Sequence, residues 1–263
     1  MNRLRDELTV HMMVRNEEHW IWFAVLSALP FCQRLMAWDT GSDDRTLDIL
    51  ADIDDPRLSV VSLGPTAADC LVATRNQMLK QTDTPWFAIV DGDEVWTDAT
   101  WRVVDKHTSD ASCDVVVVSV RCPFPRLGFF HSAVDDDFAI AGVRGPFAAR
   151  VFRRTAGMQW QGAWGSDALV RADGHMLTRG EEPFMRVVHE PVWHMTLLSR
   201  SACDDRTFWR RGKIHIDDAR EVALTEVDRG EIPEIFVRPR PARVADPFLH
   251  QCPEYVAALQ ETR

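Results

Sequence analysis

The stretch CDVVVVSV, residues 113–120, limits the fold more than any other part of this chain. Its β-branched valines favour extended backbone, and no polar residue alternates with them to face water. A strand apolar on both sides has to be covered on both sides. That requirement points to a mostly parallel sheet between layers of helices.

The preceding residues supply the other parts of such a sheet. LTVHMMV (8–14), RLMAWD (34–39), RLSVVSL (57–63) and WFAIVDG (86–92, opened by Pro85) read as strands. Between them, Glu17–Leu29 places Ile21, Val25 and Ala28 at helical spacing. A second helix is expected through about Asp52, with Ser42 and Asp43 as N-caps and Leu47, Leu50 and Ile53 on one side, and a third from Ala67 to Gln81. The order β-α-β-α-β-α-β predicts an α/β fold, in which ligands bind at the carboxyl ends of the strands. Asp39 and Asp91 both lie at such ends.

Beyond Pro123 the pattern breaks into short strands and loops to about residue 198, and 199–220 reads as one more helix. The prolines after it predict an extended tail, closed by a short helix over EYVAALQ (254–260 region). The expected organisation is a single domain over 1–225, with halves at about 1–122 and 123–225, and a tail over 226–263.

A net charge of −10 argues against a general binder of nucleic acid or membrane surface. No apolar run is long enough to span a bilayer, and MNRLRDELTVHMMV lacks the features of a signal peptide. The six cysteines form no C-x-x-C pair and are expected as reduced thiols, so the expected location is cytoplasmic.

The fourth strand ends in Asp91-Gly92-Asp93-Glu94. Three carboxylates repel one another unless water or a cation compensates them, so the tip is either a hydrated turn or a grip for Mg²⁺ or Mn²⁺. Arg75 lies in the otherwise core-facing stripe Leu71, Val72, Met78, Leu79. A guanidinium there needs either a nearby aspartate or an exit to a pocket rim.

VHMMVRNEE (10–18), WDTGSDDRT (38–46), ATRNQML (73–79) and WFAIVDGDE (86–94) together resemble the successive signatures of family-2 glycosyltransferases. The resemblance covers about the first 120 residues. It implies a GT-A type fold: a Rossmann-like nucleotide-binding half with a mostly parallel central sheet and flanking helices, then a mixed acceptor-binding half. It implies an inverting, Mn²⁺- or Mg²⁺-dependent transfer from a nucleotide-diphosphate-sugar, a UDP- or GDP-sugar, to an acceptor hydroxyl. By that likeness Asp39 would meet the base or ribose and Asp91 the ribose or metal, Arg75 and Arg15 would also meet the nucleotide-sugar, and Asp93 would bind the metal directly.

Inversion calls for a carboxylate base. Relatives place it in a Gly-x-x-His-Glu segment; here RVFRRTAGMQWQGAWGSDALV (150–170) offers Asp167 at the Glu position and Ser166 at the His position. Glu190, Glu182 and Glu181 are the alternatives. In VVHEPVWHMTLL (187–198), the likeness favours His194 over His189 as a third protein ligand to the metal. Arg206, Arg210, Arg211 and Lys213 either cover a diphosphate or form a solvated face. Trp160, Trp164, Trp193 and Trp209 fall in the half expected to hold the acceptor, where an indole either packs in the core or meets a sugar face.

The acceptor is open among a saccharide, a small natural product, a lipid-linked sugar, a peptide and a modified nucleobase, and a homodimer is open too. Two rival functions remain: a non-catalytic sugar-nucleotide binder on the same fold, and a haloacid-dehalogenase-type phosphatase with Asp91 as nucleophile.

Overall fold

The computed structural model describes residues 3–131, 139–180, 182–199 and 224–253. After a short helix α1 (Leu4–Glu7), the first half runs β1 (Leu8–Val14), α2 (Ile21–Ala28), β2 (Arg34–Asp39), α3 (Thr46–Ala51), β3 (Leu58–Ser62), α4 (Leu71–Lys80) and β4 (Trp86–Ile89). It continues through β5 (Glu94–Val95), α5 (Asp98–Thr108) and β6 (Val115–Arg121). The second half adds β7 (Phe129–His131), β8 (Ala139–Ile140), β9 (Val143–Arg144), β10 (Phe147–Arg153), β11 (Gln159–Gln161), β12 (Ala168–Val170), β13 (Met185–His194) and β14 (Leu224–Glu226).

One eight-stranded sheet takes members from both halves in the order β3-β2-β1-β4-β10-β6-β13-β5. The pairs β3–β2, β2–β1, β1–β4 and β6–β13 are parallel, while β10 and β5 run against their neighbours. This is the expected α/β, mostly parallel arrangement.

The valines of β6 divide between two cores, as a strand apolar on both faces must. Val116 and Val118 join the larger cluster with α2, α3 and α5, whereas Val115 and Val117 join Phe87, Phe152, Trp160 and Leu169 on the other side. In β2 the split recurs: Leu35 and Ala37 enter the larger core, and Met36 and Trp38 pack on Met78 of α4. The tail adds Val227, Ile235, Phe236 and Val244 to the larger core, where the Phe236 ring lies 5.2 Å from Phe23 and 6.3 Å from Trp193.

Three expectations need correction. The second helix begins at Thr46, not at Ser42. Ser42 and Asp43 are used elsewhere: Ser42 Oγ accepts from the Asn16 N–H at 2.9 Å, and the Asp43 N–H donates to Asn16 Oδ1 at 2.9 Å. The first helix starts at Ile21 because residues 17–20 form the turn that leads into it. Finally, α5 was not expected between the fourth strand and the valine strand. Its polar composition hides a Thr97 N-cap, which accepts from the Thr100 N–H at 3.1 Å, and the inward pair Trp101 and Val104. The expected helices over 199–220 and in EYVAALQ lie outside the described residues, apart from Ser199.

Cys32, Cys70, Cys113 and Cys122 carry free thiols. Among the described residues no helix is long and apolar enough to cross a membrane.

His11, inside β1, makes a testable contribution to stability. Its ring is stacked on Phe87 at 5.0 Å, and its Nε2 lies 2.6 Å from Thr82 Oγ1. Burial, with Arg75 and Arg34 adding to it, lowers its pKa from 6.5 to about 3. The unfolded chain therefore takes up a proton below pH 6.5 that the native state refuses, and stability falls as pH falls through the interval between these values. Between pH 7 and pH 5 His11 should cost the fold about 2 kcal/mol. Urea unfolding at both pH values, with His11→Gln for comparison, measures this; equal pH slopes in the two proteins would refute it.

Candidate active site at the carboxyl ends of the strands

The carboxyl ends of β2, β1 and β4 lie side by side, because Val14 pairs with Asp39 and His11 with Ile89. The loops that leave β1 and β2 are tied together. Asn16 holds a left-handed backbone (φ 56°) between Ser42 and Asp43, the Glu17 N–H donates to Thr46 Oγ1 at 2.8 Å, and Glu18 pairs with Arg45. Asp39 is buried, its carboxylate accepting from the N–H groups of Gly41 at 3.2 Å and Ser42 at 3.1 Å. Gly41 (φ 108°) is needed here, since a Cβ would stand 2.5 Å from Pro65 Cα. Arg15 is exposed at the end of β1.

The tip of β4 turns through Gly92, where a Cβ would come within 2.9 Å of Glu17 Cγ and 3.0 Å of Val14 Cγ1. This close approach seats the acidic turn against the β1 loop. Beyond it, β5 pairs antiparallel with the end of β13, placing Glu94 opposite His194. The Met195 N–H donates to the Asp93 carbonyl at 3.0 Å. A strand from the second half thereby delivers His194 to the acids of the first.

The side chains there form one charged cluster. His194 Nε2 lies 3.2 Å from Asp93 Oδ1, and its Nδ1 lies 3.8 Å from Glu94 Oε1. Ligand atoms of Asp91, Glu94 and His194 all fall within 4.8 Å of one another, as a metal ion would require. Burial works to lower the His194 pKa, but Asp93, then Glu94 and Asp91, outweigh it and raise the value to about 9. Burial raises that of Glu94. Burial acts the same way on Asp91, but there Arg150 and His194 prevail and hold the pKa below the usual value.

Arg150, from β10, is not among the residues that the sequence singles out. Its Nη2 donates to Asp91 Oδ2 at 3.0 Å and also to Glu94 Oε1. The acids of the tip are thus already compensated by a guanidinium and an imidazole belonging to the chain. The signal available in the sequence was a lone charge inside an otherwise apolar strand, FAARVF.

Arg75 and Asp167 meet in a second cluster. Arg75 Nη1 lies 2.5 Å from Asp167 Oδ2, and its guanidinium is stacked between Trp160 and Trp164, 4.6 Å from each ring centre. The other carboxylate oxygen accepts from the Gly165 N–H at 3.2 Å. Burial lowers the Arg75 pKa against the opposing pull of Asp167 and Asp91. The neighbouring Asn76 clamps the Trp160 backbone in both directions, donating to its carbonyl at 2.9 Å and accepting from its N–H at 2.8 Å. So the Arg-Asn pair on α4 fastens the β11–β12 hairpin to the first half. Of the alternatives open for Arg75 in the sequence, the structure displays the aspartate partner.

The remaining candidates lie apart from the tip cluster. His189 is exposed, with its ring edge-on to Phe147 at 5.9 Å. Glu182 pairs with His175 at 3.0 Å, and the Glu190 carbonyl accepts from Thr100 Oγ1 at 3.3 Å. Glu181, Trp209, Arg206, Arg210, Arg211 and Lys213 lie outside the described residues.

No curated protein matches the chain. Solved structures do. S. aureus TarS 1-349 in complex with UDP-GlcNAc is similar at 19% identity and a TM-score of 0.44, over 56% of this chain and 45% of that one. Glucosyl-3-phosphoglycerate synthase from Mycobacterium tuberculosis, in complex with Mn²⁺ and uridine-diphosphate-glucose, is similar at 19% identity and a TM-score of 0.34, over 44% of each chain. The chain thus spans less than half the length of either. The family described as "Glycosyl transferase family 2" matches residues 9–170, more than half of the sequence, and the chain belongs to that family.

Proposed function

We propose that this chain is an inverting glycosyltransferase that moves a sugar from a UDP- or GDP-sugar to an acceptor hydroxyl with the help of Mn²⁺ or Mg²⁺. The observation that carries this is the convergence of Asp91, Glu94 and His194, with Asp93 against the imidazole, at the carboxyl edge of a mostly parallel sheet. Two or three carboxylate and imidazole donors suit a hard divalent ion that completes its shell with diphosphate oxygens. An ion held there would stabilise the negative charge that gathers on the leaving diphosphate.

The chain's own groups have separate tasks. Asp93 and His194 present the ion-binding face, with Asp91 and Glu94 beside them. Asp39 shapes the turn that faces the nucleotide, and Arg15, exposed at the neighbouring strand end, meets its phosphate or ribose. Asp167 takes the proton of the acceptor hydroxyl, and Arg75 orients its carboxylate for that purpose. The acceptor is a hydroxyl compound brought against the β11–β12 hairpin.

A thermal-shift screen of UDP, GDP and other nucleoside diphosphates, with and without Mn²⁺, tests the proposal. A cognate nucleotide at a hundred times its Kd adds about 2.7 kcal/mol, or roughly 5–10 °C for a chain of this size. That shift should need Mn²⁺. No shift with any nucleotide would overturn the proposal. A shift without turnover on a broad acceptor panel would favour the non-catalytic binder, a reading that draws its support from the grip of Arg75 on Asp167.

A further inference from the structure

Arg150 occupies its place because of a defect in strand pairing. Along β10, Ala149 sits opposite Val117 of β6 and Val151 opposite Val116, so Arg150 is an extra residue with no partner of its own. The inward pattern changes phase there: Phe152, Ala149 and Phe147 pack on one core, whereas Val151 enters the other. Bulges of this kind bend a strand and re-aim a side chain, often beside an active site. Here the re-aimed group is a guanidinium, left only 16% exposed and drawn across Asp91 and Glu94. These are two of the three residues grouped as a metal site.

We infer that Arg150 is a resident counter-cation. It holds the carboxylates of the β4 tip together when no divalent ion is present, and it becomes a ligand of the donor diphosphate once an ion takes those carboxylates. This rests on the function proposed above. The physical basis is competition for the same oxygens. Asp91 Oδ2 and Glu94 Oε1 cannot serve the guanidinium and an ion equally, and two cations crowded there would repel each other. A displaced guanidinium at the rim of the same tip faces the region where the diphosphate would sit, and its planar donors match phosphate oxygens.

The test uses the whole chain with Arg150→Met and Arg150→Lys, folding being checked by circular dichroism. Mn²⁺ binding is followed by electron paramagnetic resonance without nucleotide, and UDP binding by calorimetry at saturating Mn²⁺. Arg150→Met should bind Mn²⁺ at least tenfold more tightly and UDP at least tenfold more weakly. Arg150→Lys, which keeps the charge but loses the fork of donors, should shift both in the same directions by less, and it decides the matter if the Met variant does not fold. Unchanged or weaker Mn²⁺ binding, or unchanged UDP binding, would overturn the assignment to Arg150. A wild-type protein that binds neither Mn²⁺ nor any nucleoside diphosphate would instead bring down the proposed function itself, and GDP replaces UDP in these measurements if GDP is the nucleotide it binds.

Discussion

Under the proposed function, Asp93→Ala should lower kcat/KM for sugar transfer by roughly 10³-fold or more, because it would remove a ligand of the ion that neutralises the leaving diphosphate. The side chain is 1% exposed and faces the His194 imidazole at 3.2 Å. Its loss would therefore take a carboxylate from the proposed metal face and leave the ring to Glu94 and Asp91. The fold should survive, since the link from Asp93 to Met195 runs through the main-chain carbonyl and does not need the carboxylate. Asp93→Asn, which preserves volume while discarding charge, separates electrostatics from packing and should lose nearly as much. Transfer assays with and without chelator, alongside circular dichroism, check this. Full activity in Asp93→Ala, or in the native protein with the divalent ions removed, would eliminate the metal from the reaction.

Arg75→Met should destabilise the fold by about 3–5 kcal/mol, the usual loss when one partner of a buried ion pair is deleted. The Asp167 side chain is only 3% exposed, so its carboxylate would be left inside the protein without the guanidinium. The stacking on Trp160 and Trp164 would go as well. Removing both charges in Arg75→Met/Asp167→Leu should restore much of the stability, because the cost comes from the stranded charge rather than from the missing contact. Urea unfolding of the two single variants and the double variant closes the cycle. If Arg75→Met is as stable as the native protein yet loses nucleotide affinity, Arg75 is a donor contact and not a fastening between the halves.

The sheet was largely legible because its strands carry their own periodicity. The alternation of apolar and helical segments located β1 to β4 and β6, and the valines of β6 announced cover on both faces. Features that depend on partners far away in the sequence were not legible. Ser42 and Asp43 look like helix caps until Asn16, on another loop, claims them. The polar α5 is held by two inward residues and a threonine cap, too little to stand out in a pattern. Arg150 needed a bulge to reach its acids, and a bulge has no repeating signature. The acidic tip and His194 could be seen, but not the internal guanidinium of Arg150 that opposes the acids.

Trp193 has the Phe236 ring on one side and His194 as its successor in the chain. Phe236, far downstream, thus packs on the indole that directly precedes the imidazole in the chain. Variants around Phe236, in a segment with no part in the chemistry proposed above, should register as sluggish turnover in a protein that still folds, and could be mistaken for damage to the catalytic residues.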